Sequence, residues 1–185
     1  VNNFLAYVND GSYDNTMIHR SVKNFVIQGG GFKAPTRPAN ETESDPTQIT
    51  SKGLIPNEAG NANVRGTIAM AKLAGQPNSA TSQWFFNLQD NAFLDSDNGG
   101  YTVFGKVLGN GMTIVDVMAS AFTYDASLYY GYPEKTGPFT DLPLWGLDDD
   151  NILKPADPPT RPQSDFLEIE TITELSDESE LMTYT

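Results

Sequence analysis

The sequence predicts a mostly β fold, a closed antiparallel barrel with two helices. Three observations support this prediction: the strand-like runs are short, long loops separate them, and only two segments have helical spacing. The chain has 185 residues, of which 38% are hydrophobic, and this is enough to bury the core of one domain. We therefore expect residues 1–185 to form a single domain.

The first predicted element is a helix over residues 2–9. Phe4, Leu5 and Val8 fall at helical spacing within this run, and Gly11 ends it. No capping residue precedes the helix, so the chain begins inside an element. We expect either that the natural protein begins further upstream or that another segment takes the place of the missing start.

The β-rich runs follow, separated by segments rich in Gly, Pro, Asn and Ser. The longest loop is predicted over 33–63. The second helix is predicted over 111–120, with Met112, Val115 and Met118 on one face. The predicted strands are 16–19, 22–28, 66–71, 82–88, 101–107 and 165–173.

The composition excludes several kinds of site and partner. The chain has no cysteine, which excludes disulfides, thiol catalysis and thiolate metal sites. Its single histidine, His19, excludes a site that needs two imidazoles from one chain. A formal net charge of −13 argues against nucleic-acid binding, because neutralising phosphates requires clustered Lys and Arg. No run of 18 apolar residues is present, which argues against a membrane span.

The charge is concentrated in the last third of the chain. Residues 1–118 contain ten acids and eight bases, whereas 119–185 contain fourteen acids and three bases. We interpret 121–164, rich in Pro and aromatic residues, as an insertion packed on the barrel, and 174–185 as an acidic tail. The acidic stretch is interpreted as a solubilising surface, with recruitment of a basic partner as the alternative.

Four segments are more specific than generic β runs. In chain order they read YDNTMIHRSVKNFVIQGGGF (13–32), RGTIAMA (65–71), SATSQWFFNLQDNAFLD (79–95) and GYTVFGKV (100–107). Together they resemble a cyclophilin, a peptidyl-prolyl cis-trans isomerase, of bacterial type. The resemblance implies an eight-stranded barrel, whose two N-terminal strands this chain lacks.

The resemblance also implies an activity and a set of site residues. The expected reaction is rotation of X-Pro bonds in protein substrates, which assists folding and needs no metal or cofactor. Arg20 corresponds to the catalytic arginine, and Gln28 and Gln83 to the residues that orient it and the substrate carbonyl. The residues that match substrate-binding positions are Phe25, Met70, Ala71, Lys72, Phe85, Phe93, Leu94 and Tyr101.

Some positions depart from the family's motifs, and others can be interpreted as structural residues without a role in the site. Trp84 replaces the usual Phe and, by strand alternation, should point into the core, away from Phe85. Val26 replaces a frequent Met beside the proline pocket. His19 is interpreted as a structural histidine. On spacing alone the apolar site residues would be core and Arg20 a surface charge.

Two other functions stay open at this point. The chain can be a proline-peptide binding module with little turnover, or a scaffold that works through the insertion or the acidic tail. The expected partners are proline-containing peptides and unfolded or folding proteins, with no nucleic acid and no membrane. We expect a monomer in the bacterial periplasm or cytoplasm, the periplasm being slightly favoured.

Overall fold

A computed structural model describes residues 1–35, 45–128, 130–133, 136–145 and 166–175. This part of the chain is mostly β with two α-helices, α1 (Asn2–Asn9) and α2 (Gly111–Ala119), as the sequence predicts. The strands in chain order are β1 (Thr16–Met17), β2 (Arg20–Val22), β3 (Val26–Gly29), β4 (Phe32–Lys33), β5 (Thr47–Gln48), β6 (Thr67–Met70), β7 (Trp84–Asn87), β8 (Val103–Lys106), β9 (Phe122–Tyr124), β10 (Leu142–Leu144) and β11 (Glu168–Ile169).

The main sheet has five strands in the order β2-β3-β7-β6-β8, and all of its neighbouring pairs are antiparallel. The register between β6 and β8 shifts between Ile68 and Ala69. A shift of this kind bends a strand and changes its twist locally. Two 3-10 turns, Ala92–Asp95 and Asp97–Gly99, follow β7 and lead the chain towards β8.

The other strands form a four-stranded sheet in the order β11-β1-β4-β5 and a two-stranded sheet of β9 and β10. The chain passes from the four-stranded sheet to the main sheet at His19, whose N–H donates to the Gln28 carbonyl at 3.1 Å. A barrel closes only when its outer strands pair. Within the described ranges β8 pairs with β6 alone, so the predicted closed barrel is not observed there.

Apolar side chains from both helices meet one face of the main sheet in what we call the central cluster. Tyr7 and Val8 of α1 are buried in it, and Phe4 packs against it. The predicted face of α2 is confirmed, since Val115 is buried in the cluster with Met112 and Met118 against it. The buried members are Tyr7, Val8, Tyr13, Ile18, Ile27, Ile49, Trp84, Leu88 and Val115.

A second group, the hairpin cluster, joins β9 and β10 to the four-stranded sheet. Its buried members are Met17, Phe32, Ala34, Ala126, Phe139, Leu142, Leu144 and Phe166. The described residues of segment 121–145 therefore pack on β1 and β4. That 121–164 is an insertion in a single domain stays a prediction, because 146–165 and 176–185 lie outside the described residues. No described helix has the length and hydropathy that spanning a bilayer requires.

Candidate functional site

One face of the main sheet carries a row of side chains from all five strands. In the register, Arg20 is the Cα partner of Gln28, Gln28 of Phe85, Phe85 of Ala69, and Ala69 of Val103. Directly opposed residues in a sheet project to the same face. The strand pairing therefore places a guanidinium, an amide and an aromatic ring side by side.

Beside this row lies a third apolar group, the site cluster. It lies on the opposite face of the sheet from the central cluster and next to the 3-10 turn that carries Leu94. Its buried members are Val26, Ala69, Phe85, Leu94 and Val103, and the residues packed against it are Phe25, Ala71 and Tyr101. The site cluster thus contains five of the eight residues predicted to bind substrate.

Aromatic contacts shape the rim of the site cluster. The Tyr101 ring meets the Phe85 ring edge-on, with 5.8 Å between ring centroids. The Phe93 ring stacks on the Phe25 ring at 5.5 Å and is 57% exposed. Exposed aromatic rings beside an apolar pocket provide contact area for a ligand at little cost in conformational entropy.

Met70 is not brought to the site cluster. Its Cα partner across the sheet is Trp84, which is buried in the central cluster as strand alternation predicts. Successive side chains of a strand point to opposite faces, so Met70 lies on the other face from Ala69 and Phe85. Val26 is buried in the site cluster instead.

The two predicted polar residues beside Arg20 are bonded to each other. The Gln28 amide donates from Nε2 to Gln83 Oε1 at 2.7 Å. Arg20 itself pairs with a residue that the sequence did not single out, since its Nε lies 3.5 Å from Asp141 Oδ2. Gln28 lies on β3 and Gln83 directly precedes β7, whereas Asp141 directly precedes β10.

Lys72 fixes the loop that leads to Tyr101. Its Nζ donates to the carbonyl of Asn98 at 2.9 Å and to that of Gly100 at 2.5 Å. The ammonium also lies 4.5 Å from the centre of the Tyr101 ring, a cation–π contact. Burial lowers the pKa of Lys72, and the nearby Asp97 carboxylate opposes that shift.

A buried network of amides lies beneath the site, and sequence reasoning missed it. Asn91 Nδ2 donates to the Phe25 carbonyl at 3.0 Å and to Asn87 Oδ1 at 2.8 Å. Asn87 Nδ2 donates to Asn63 Oδ1 at 3.2 Å, and the Asn63 amide N–H donates to Asp95 at 2.8 Å. These hydrogen bonds from Asn63 hold the pKa of the Asp95 carboxyl below its usual value. The network ties three separate segments of the site together.

His19 lies behind Arg20 in a closely packed environment. Its side chain is 1% exposed and meets the Phe32 ring edge-on at 5.1 Å. A Cβ on Gly31 would lie 3.0 Å from the His19 ring and from the Gln83 amide, so only glycine fits there without a shift. Burial lowers the pKa of His19 from 6.5 to about 4, although a hydrogen bond with Gln83 opposes the shift. The imidazole is therefore neutral at pH 7.

The described residues hold no group of three His, Cys, Asp or Glu side chains arranged for a metal ion. The arrangement that is present is a permanently charged donor at the edge of an apolar surface. Such a site can hold a compact apolar ring and direct a hydrogen bond at an atom beside it. Its imidazole, His19, is buried and so is not placed to act as a base on a bound ligand.

Comparison with known proteins identifies the family. Residues 1–130 match the family model described as cyclophilin type peptidyl-prolyl cis-trans isomerase/CLD. Peptidyl-prolyl cis-trans isomerase A of Dickeya dadantii is 42% identical over 139 residues, covering 73% of this chain and 67% of the relative. Peptidyl-prolyl cis-trans isomerase B of Escherichia coli is 40% identical over 142 residues, covering 73% of this chain and 79% of the relative.

A solved structure agrees with this match. The cyclophilin type isomerase of Cryptosporidium parvum, crystallised in the presence of the dipeptide Ala-Pro, superposes with a TM-score of 0.50 at 26% identity. The superposition covers 66% of this chain and 72% of the other. The resemblance seen in the sequence is confirmed: the chain belongs to the cyclophilin-type peptidyl-prolyl cis-trans isomerases of bacterial type, a family of isomerase-class enzymes.

Proposed function

We propose that this chain accelerates cis–trans rotation of X-Pro bonds in protein substrates and so assists their folding. The observation that supports this most directly is the row of Arg20, Gln28 and Phe85 on one sheet face, beside the site cluster. The related Cryptosporidium protein, crystallised in the presence of Ala-Pro, supports a proline-containing ligand. The proline ring of such a ligand would lie on Phe85, Leu94 and Val26.

The reaction requires only that a bond be twisted. The barrier of about 18–20 kcal/mol comes from amide resonance, and the uncatalysed change takes tens to hundreds of seconds at an X-Pro bond. In the twisted state the proline nitrogen regains its lone pair. A guanidinium held beside the ring can donate a hydrogen bond to that lone pair, which stabilises the transition state and not the planar ground state.

Arg20 is suited to this role because it stays charged and its donors lie in one plane. A single preorganised donor of this kind is worth about 3–4 kcal/mol in a transition state. The bonded pair Gln28 and Gln83 presents an amide beside Arg20, and we propose that it orients the substrate carbonyl. The mechanism needs no metal, cofactor or covalent intermediate.

Partners and compartment stay predictions. We infer that the chain acts as a monomer on unfolded or folding proteins, without nucleic acid or membrane. We place it in the bacterial periplasm or cytoplasm, the periplasm being slightly favoured.

The deciding experiment compares wild type with Arg20→Ala on a short Ala-Pro peptide, by NMR exchange between its cis and trans forms. We expect fast exchange with wild type and a loss of about a hundredfold in kcat/KM with Arg20→Ala. The matched control is Lys23→Ala, because Lys23 is an exposed cation in the turn after β2. The Lys23→Ala variant should accelerate cis–trans exchange of the peptide as much as wild type does.

Three outcomes would contradict the proposal or its mechanism. A wild type that binds the peptide but leaves its exchange slow would show a binding module in place of an enzyme. A wild type that neither binds nor accelerates would favour a scaffold role. Equal losses in Arg20→Ala and Lys23→Ala would show that general charge, and not the placement of Arg20, governs the rate.

A further inference from the structure

Segment 121–145 brings a carboxylate to the predicted catalytic arginine. Asp141 Oδ2 lies 3.5 Å from Arg20 Nε, and the two side chains are 38% and 33% exposed. Asp141 lies beyond residues 1–130, which match the family model. The pairing therefore joins a residue inside the matched region to one outside it.

The backbone around Asp141 is held on both sides. The neighbouring Phe139 and Leu142 are buried in the hairpin cluster, with 2% and 0% of their surfaces exposed. The Ser21 amide N–H donates to the Asp141 carbonyl at 2.8 Å, which ties this segment directly to β2 beside Arg20. The aspartate side chain is short, so its carboxylate has little freedom once this backbone is fixed.

The carboxylate has a second donor. The Thr140 hydroxyl donates to Asp141 Oδ2 at 3.0 Å, the same oxygen that lies near Arg20 Nε. A hydrogen bond from a neighbouring hydroxyl restricts the carboxylate to one orientation. Arg20 is thus the only long, flexible side chain that this ion pair must order.

The contact is made at the inner nitrogen of the guanidinium. Within the described ranges, no hydrogen bond from either terminal Nη of Arg20 is found, so both are available to a ligand. A guanidinium is planar, and holding its Nε edge therefore sets the direction of the two outer nitrogens. Ordering these donors before substrate binds removes an entropy cost from the transition state.

We propose that Asp141 is a positioning residue for Arg20, holding the guanidinium in the orientation from which it donates to the twisted proline nitrogen. The proposal rests on the proposed function. In this role Asp141 acts through Arg20 and not on the substrate itself, so its removal should lower kcat and leave KM nearly unchanged. A residue that only stabilised the fold would not produce this split.

The test uses Asp141→Ala and Asp141→Asn in the full chain, with kcat and KM measured on the same Ala-Pro peptide. We expect kcat to fall about fivefold in Asp141→Ala, the upper range for a partly exposed ion pair, and less in Asp141→Asn, which keeps an acceptor oxygen. The matched control is Asp116→Asn, which breaks another exposed pair, between Asp116 and Arg65. It should keep the wild-type kcat.

A double-mutant cycle separates positioning from a structural effect. On the Arg20→Ala background, Asp141→Ala should lower kcat no further, because the group that it positions is gone. An equal fall on both backgrounds would overturn the proposal, as would an unchanged or raised kcat in Asp141→Ala alone.

The same data distinguish this failure from failure of the proposed function. If wild type is fast, Arg20→Ala is slow and Asp141→Ala equals wild type, the reaction stands and the positioning role is wrong. If wild type does not accelerate exchange at all, the proposed function fails and this role fails with it.

Discussion

His19 is a titratable residue that is buried directly behind Arg20. It is fully buried between Phe32, Gly31 and Gln83, and its Nδ1 has no hydrogen-bond partner within the described residues. Protonation would place a charge in a buried site, and the neighbouring Arg20 would repel it, which outweighs the hydrogen bond with Gln83. The fold therefore favours the neutral ring.

We predict that the imidazole of His19 titrates near pH 4 in the folded protein, well below its ordinary pKa of 6.5. The stability linked to this group is complete above pH 6.5 and declines as the pH falls, because only the unfolded chain then takes up the proton. The loss should reach about 3 kcal/mol below pH 4.

The measurement follows the His19 Cε1 proton by NMR, and it is unambiguous because the chain has a single histidine. The control is the same titration in urea, where the pKa should return to its ordinary value. A folded-state pKa near 6.5 would contradict this prediction.

At the scale of single residues, the motif match predicted which residues form the site better than it predicted the direction of their side chains. Arg20, Gln28 and Phe85 could be found in the sequence because their motif also sets their strand register. The direction of Met70 depends on its pairing with Trp84, which a motif match does not specify. Asp141 could not be found, because its approach to Arg20 depends on packing between distant segments.

At the scale of elements, the amide network decides how the turn after β7 meets the sheet. Asn87 is fully buried and bonds to Thr67, Asn63 and Asn91. Asn91 in turn holds the Phe25 carbonyl, and Asn63 contacts Asp95 at the end of the first 3-10 turn. The network thus connects β6, β7 and the turn that carries Leu94.

We predict that Asn87→Leu, which keeps the volume but removes the polar atoms, lowers the free energy of unfolding by about 3 kcal/mol. The reason is that the buried Asn91 and Asn63 amides lose partners, each costing about 1–3 kcal/mol. Because Phe25 and Leu94 lose their support, KM for an Ala-Pro peptide should rise as well. Urea denaturation and peptide kinetics measure the two effects.

The control for this change is Asn110→Ala, because Asn110 is exposed and makes no capping hydrogen bond to α2. Its effect should stay within about 0.5 kcal/mol. If Asn87→Leu were as mild as the control, the network would not support the site.

The elements themselves were predictable where they were long or regularly patterned. Both helices and the main-sheet strands β3, β6, β7 and β8 coincide with predicted elements. The predicted strand 22–28 is wrong as a single element, because a turn divides it between the end of β2 and β3. The two-residue strands β4 and β5 are too short to show any period. β10 was missed because it contains Pro143, a residue that argues against a strand in sequence reasoning. Pairing with β9 decides its conformation.

At the scale of the whole molecule, the three apolar clusters share strands. Met17 is buried in the hairpin cluster and the next residue, Ile18, in the central cluster. Likewise Trp84 belongs to the central cluster and Phe85 to the site cluster. Loss of packing in one cluster must therefore displace a strand whose side chains also pack in another cluster. We expect the chain to unfold as one cooperative unit.

Phe139→Ala tests this expectation. The Phe139 ring is 2% exposed and lies 4.8 Å from the Phe32 and Tyr130 rings, centre to centre. Its loss should lower the free energy of unfolding by about 3–5 kcal/mol, since a cavity opens in the hairpin cluster. The control is Phe122→Ala in the same segment, because Phe122 is exposed and its loss should cost little.

The readout uses a Trp145→Phe background, in which Trp84 of the central cluster is the one remaining tryptophan. If the clusters are coupled, Phe139→Ala moves the Trp84 fluorescence transition and the far-ultraviolet circular dichroism transition to the same lower urea concentration, with the slope m unchanged. If segment 121–145 unfolds independently, the Trp84 transition stays at its wild-type midpoint while the dichroism signal changes earlier. That result would also mean that the Asp141–Arg20 pair is lost at a lower urea concentration than the main sheet, since Asp141 belongs to the segment that opens first.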